Sequence, residues 1–155
     1  METNVENTVR DIIRKMKASS TMNLKLATTL MEYVEAEAAR MGVKAVVAVS
    51  DASGRPIAIH CMDGAYIGSY DVALNKTYTS VAFQMSTAEL AKLAAPGGSL
   101  YGIQNTNEGK IVIFGGGEPL YVDGVMVGAI GVSGGTAEQD TKLGAYGKRK
   151  FEELV

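Results

Sequence analysis

The sequence is poor in the residues that most often carry chemistry. It has one cysteine, Cys61, one histidine, His60, and no tryptophan in 155 residues. One cysteine allows no internal disulfide, so a disulfide-stapled secreted scaffold is excluded. One cysteine and one histidine cannot build a zinc finger or a Cys/His zinc cage. Positive charge is also short: 15 Lys and Arg face 17 Asp and Glu, a formal net charge of -2. That balance argues against a nucleic-acid partner, whose binding depends on neutralising phosphates. No apolar run reaches the ~18 residues of a membrane span. The opening METNVENTVRDIIRKMK lacks the apolar region of a signal peptide. The expectation is a cytoplasmic protein with reduced Cys61 and no membrane partner.

Glycine is what the chain has in excess. Eighteen residues are Gly, about 12% against a usual ~7%. Twelve of them fall within residues 97–135. The length suits one domain with a single core.

Residues 3–17 carry helical spacing through Val5, Val9, Ile12, Ile13 and Met16. Thr3 and Glu6 have capping-box spacing. A small polar joint at 18–21 separates this helix from the rest, so residues 1–21 are a helix and linker and 22–155 the domain proper. Asn23 is placed to cap a second helix whose buried stripe is Leu26, Leu30, Val34, Ala38 and Met41. Gly42 is placed to end it. Val43–Ser50 and Pro56–Met62 read as a strand hairpin. On its second strand Ile57, Ile59 and Cys61 alternate with Ala58, His60 and Met62. Cys61, on the side of Ile59, reads as a small buried hydrophobe. Residues 67–84 are helical. Ser86 and Glu89 form a second capping box, before a short helix stopped at Pro96-Gly97. Three strands are expected at 111–114, 120–122 and 125–132, the last two joined by an Asp123-Gly124 turn. Thr136 and Gln139 make a third capping box, before a helix to about Leu154. Short links between neighbouring strands imply an antiparallel sheet, and the interspersed helices must cover it. The fold class is α+β, with a five-stranded antiparallel sheet covered by helices.

Several blocks recur in order: Val49–Gly54, Met62–Ala65, Lys76-Thr-Tyr-Thr79, Ser86–Leu90 with Pro96-Gly-Gly98, Phe114-Gly-Gly-Gly-Glu-Pro119, and Gly128–Gly135 followed by Glu138-Gln139-Asp140. Together they resemble the GlcG/HbpS family, which includes the C-terminal domain of PduO-type proteins. The resemblance runs over roughly residues 22–154. It implies a profilin-like fold, homo-oligomers and a small-molecule ligand. Haem is the implied cofactor and a corrinoid the alternative. It also implies a setting in glycolate use or inside a bacterial microcompartment. Residues 1–17 lie outside the resembling span. Their apolar stripe needs a partner surface, either within the homo-oligomer or on a microcompartment shell protein, since such a helix resembles the targeting tails of microcompartment cargo.

The residues themselves suggest which groups would meet such a ligand. His60 is the only imidazole able to bind a haem iron, though the family does not fix a histidine there. The alternative is a surface or interface histidine. Lys76 and Thr79 share a helix face at i, i+3 and could hold an anionic group. Gly116 and Gly117 permit close backbone approach, and Glu118 is the one charge of that loop. The bland readings are a solvated Lys76 beside a Thr79 bonded to its own helix backbone, and glycines that serve tight turns and close packing of strand on helix. No acid/base pair is marked, so an enzyme acting on a small organic acid, an aldehyde or a corrinoid is the rival reading. A cargo protein acting through its N-terminal helix is another.

Overall fold

The computed structural model describes residues 2–19 and 21–155, and the side chains of 4–13 and 21–155. Five helices and four strands follow one another: α1 (Glu2–Ser19), α2 (Leu24–Arg40), β1 (Val46–Asp51), β2 (Pro56–Cys61), α3 (Ser69–Phe83), α4 (Thr87–Ala94), β3 (Gly117–Val122), β4 (Val125–Ser133) and α5 (Ala137–Leu154). Local chemistry sets the helix starts. Asn23 caps α2 by accepting from the Leu26 N–H. Reciprocal capping boxes open α4 (Ser86 and Glu89) and α5 (Thr136 and Gln139). The cap expected at Thr3 and Glu6, and the place of Met16, lie outside the described side chains.

The sheet is antiparallel, in the order β2-β1-β4-β3. Asp123 and Gly124 join β3 to β4 with φ of 49° and 77°, both left-handed, as the tightest hairpin turn requires. α2 and α5 pack together over one face. The main core lies there, with Leu30, Met31, Val34, Val47, Val49, Leu120, Ile130, Val132, Leu143 and Phe151. α3 covers the other face.

That second face is built from very small residues. Gly117, Gly131 and Ala48 stand side by side across β3, β4 and β1. A Cβ on Gly131 would lie 2.1 Å from the Ala73 carbonyl oxygen, and one on Gly117 2.8 Å from that of Lys76. The helix backbone therefore rests directly on the sheet, and only glycine leaves room for it.

The described residues form four strands where five were expected. The apolar run at 111–114 is not in the sheet. The Val112 N–H donates instead to Thr79 Oγ1 on α3, at 3.0 Å. A helix side chain takes the hydrogen bond that a neighbouring strand would have supplied. Cys61 also departs from expectation. It is exposed, because it is the last residue of the edge strand β2.

The close seating of α3 makes a test. Gly131→Ala should lower stability by about 1–3 kcal/mol through overpacking, read as an earlier urea midpoint. Gly68→Ala, where an added Cβ meets nothing within 4 Å, should shift it by less than about 1 kcal/mol. Equal midpoints for the two would refute the contact.

Candidate functional site

Lys76 is fully buried, an uncommon state for a lysine. Its ammonium donates to the Val132 carbonyl at 2.6 Å and to Asp140 Oδ2 at 3.1 Å. It also lies 5.1 Å from the centre of the Phe114 ring. The other Asp140 oxygen accepts from the Gly135 N–H at 2.9 Å. Desolvation pulls the Lys76 pKa below the usual lysine value, and Asp140 opposes that shift. Gly116, at φ 120°, passes beside this pair, where a Cβ would sit 2.7 Å from Lys76 Nζ.

Thr79 is buried as well. Its hydroxyl donates to Asn75 O at 2.8 Å while accepting from Val112. It thereby pins the 110–112 segment to α3. The Gly117 N–H donates to Thr87 Oγ1 at 2.9 Å, so this glycine offers no free donor to an anion. Glu118 is partly buried on the face that α5 covers, in register with Ile130. Desolvation raises its pKa above the carboxylate norm; Lys148 counters this and Glu89 adds to it.

His60 lies elsewhere. It pairs with Val47 and so points to the α2 side of the sheet, at the open edge formed by β2. Ala58 and Met62, two residues away on either side, are apolar, partly buried and packed on the core. The His60 side chain is 38% exposed. Its Nδ1 lies 2.5 Å from Glu35 Oε1 on α2. A carboxylate on one ring nitrogen leaves Nε2 for a ligand, the arrangement in which imidazoles usually hold metals. Among the described residues no three His, Cys, Asp or Glu side chains converge on a metal position. A haem would need no such cluster, because the porphyrin itself holds the iron and a single protein side chain can serve as its ligand.

The chain matches the family of haem-degrading HbpS-like proteins over residues 22–148. The chain belongs to the HbpS-like family. It is 41% identical to an uncharacterised 15.0 kDa Citrobacter freundii protein from the dhaT-dhaS intergenic region, over 92% of this chain and all of that one. It is 40% identical to the corrinoid adenosyltransferase PduO of Salmonella typhimurium over 68% of this chain, and spans only 32% of that enzyme. Among solved structures, the PduOC:heme complex matches with a TM-score of 0.79 at 32% identity, over 83% of this chain and 94% of that one.

In this HbpS-like chain the six residues singled out from sequence do not share one pocket. Lys76 and Thr79 belong to α3 on one side of the sheet, with Gly116 and Gly117 closed against them. His60 and Glu118 face the other side, three strand spacings apart, or about 14 Å. The grouping fails for a physical reason. Sequence alternation gives the face of a residue on its own strand but not which strands become neighbours. Lys76 is fully buried and already bonded to Val132 and Asp140, so it is closed to a ligand in this arrangement. Two partners escaped the sequence reading. Asp140 stands there only as the last residue of a block that carries the resemblance. Glu35 passes unmarked, although it follows Val34 of the buried stripe and so sits on the shoulder of that face.

The buried pair is testable by a double-mutant cycle. Lys76→Met should cost about 3–5 kcal/mol, because Asp140 is left charged and unpaired. Lys76→Met with Asp140→Asn keeps an acceptor for Gly135 and should cost less than the two single changes summed, by about 0.5–3 kcal/mol. Additive losses in chemical denaturation would show that the two side chains are not coupled.

Proposed function

We propose that this protein binds haem through His60 and acts as a ligand-binding accessory protein. The observation that carries this reading is the half-exposed His60 imidazole, flanked by Ala58 and Met62, with Nδ1 held by Glu35. The residues fit the group. The ring offers one nitrogen to an iron, and its apolar neighbours suit a porphyrin face. Haem, when bound, supplies the redox chemistry of its iron. His60 would hold the iron through its free ring nitrogen, with the ring oriented by Glu35 and flanked by Ala58 and Met62. The similarity to the PduOC:heme complex and to a family described as haem-degrading supports this reading. A corrinoid is the alternative occupant, suggested by the likeness to part of a corrinoid adenosyltransferase.

One imidazole at a sheet edge leaves the far side of the ligand uncovered, which suits a homo-oligomer. Exposed apolar residues at Tyr66, Ile67 and Tyr70 suit one too, with Ile67 97% exposed. No helix among the described residues is long and apolar enough to cross a membrane.

A second reading concerns α1. Val5, Val9, Ile12 and Ile13 are all exposed on it. A short helix gains most of its stability from a partner for such a stripe. We propose a docking role for residues 1–17, with a microcompartment shell protein as the partner.

Hemin titrated into the purified protein should give a saturable Soret shift. His60→Ala should weaken that binding at least tenfold or abolish it. No saturable shift in the native chain sinks the haem reading, and an unchanged His60→Ala curve removes His60. A corrinoid titrated in place of hemin separates the two ligands. For α1, residues 1–21 fused to a fluorescent reporter should give puncta in cells making microcompartments. Diffuse signal there counts against the shell partner.

A further inference from the structure

We infer that Glu35 is a positioning residue for the haem site: it fixes which His60 nitrogen faces the iron and raises the electron density of that ligand. This inference rests on the proposed haem reading. It starts from a contact between two separate elements. Glu35 is on α2 and His60 on β2, twenty-five residues apart, yet Oε1 and Nδ1 lie 2.5 Å from each other. Neither group is stranded in bulk water: their side chains are 26% and 38% exposed. The acid two residues on, Glu37, turns instead to Arg40 at the surface. Among these acids of α2, Glu35 is the one aimed at the ring.

The chemical consequence follows from where the proton sits. A neutral imidazole carries its proton on one nitrogen and its lone pair on the other. A carboxylate at Nδ1 accepts only from a protonated Nδ1, so the lone pair stands on Nε2. The same hydrogen bond pushes charge into the ring and makes Nε2 a better donor. A more electron-rich axial nitrogen favours ferric over ferrous iron, because the higher charge gains more from it. Glu35 therefore acts on tautomer, affinity and potential together, without touching the ligand.

The first readout needs no haem. His60 is the only histidine of the chain, so a tag-free sample labelled with 15N gives one set of ring signals. With the ring neutral, the native chain should show the Nδ1-protonated tautomer, and Glu35→Gln should shift the population toward the Nε2-protonated form. The second readout uses hemin. Glu35→Gln should bind it about 10- to 100-fold more weakly, the usual effect of losing such a partner. If the loss is tenfold greater for ferric than for ferrous haem, the reduction potential rises by about 59 mV. Glu35→Asp, which keeps the charge on a shorter arm, should fall between the two, and Glu37→Gln should match the native chain in every readout. An unchanged tautomer and an unchanged potential in Glu35→Gln overturn the inference, while hemin binding lost in His60→Ala leaves the haem reading standing. If the native chain binds no hemin, both fall. If Glu35→Gln and Glu37→Gln shift the potential equally, the effect is general electrostatics and the inference is overturned.

Discussion

An ammonium group in a dry interior is tolerated only when its surroundings answer its charge, and Lys76 imposes that condition on the whole domain. Removing an ion from water costs several kcal/mol even after relaxation. Three groups from three parts of the chain offset it here: the Asp140 carboxylate at the start of α5, the Val132 carbonyl near the end of β4, and the Phe114 ring just before β3. The pair holds these segments in one arrangement, since a shift of any of them strands the charge. Gly116 must thread between them, because a Cβ there would collide with Val132 O, at 2.5 Å, as well as with Lys76 Nζ. Gly144 of α5 presses on Gly116 from the other side, where a Cβ would lie 2.8 Å from its carbonyl oxygen.

The glycine excess acquires a cause from this geometry. Some of the glycines between 97 and 135 serve turns, as at Gly124. Gly116, Gly117 and Gly131 instead let backbones approach one another, and Gly115 leaves room for the Thr141 side chain. The face of the sheet that meets α3 is therefore filled by main chain. It leaves little volume for a ligand, and Lys76, Thr79 and Asp140 there are committed to protein partners, although the buried Ser50 and Ser80 hydroxyls have none. The opposite face differs only at its margin. Its centre is aliphatic core, but along β2 the cover thins, and β2 is partly or fully exposed along its whole length. His60 stands in that margin.

Features with a local cause were legible in the sequence. Asn23, Ser86 and Thr136 announce helix starts because a cap acts over three residues, and Asp123-Gly124 announces its turn because the backbone conformation is set within that dipeptide. Features that depend on distant partners were not. The run Ile111-Val-Ile-Phe114 has the composition of a buried strand, and only Thr79, thirty-three residues before Val112, makes it a strap along α3. Lys76 reads as a solvated cation because its partner lies sixty-four residues further on. The pairing of Glu35 with His60 depends on how α2 settles across the sheet edge, which no spacing along either element records.

This division bears on what family likeness can report. Among the blocks that carry the resemblance are Lys76–Thr79, the glycine loop with Glu118, and Gly128–Gly135 with Asp140. Apart from Glu118, the groups within them that have a clear task here hold α3, β3, β4 and α5 in register. They preserve an architecture, and an architecture can be kept while the ligand changes. His60 and Glu35 lie outside those blocks, on the α2 side of the sheet, and neither touches the Lys76 pair. A substitution at either position alters an edge without stranding a buried charge. The site proposed for haem shares no group with the Lys76 pair, so the scaffold that the glycines and the buried lysine hold together does not by itself fix the ligand. The ligand of this chain must be argued from its own sheet edge, where one imidazole and one carboxylate meet.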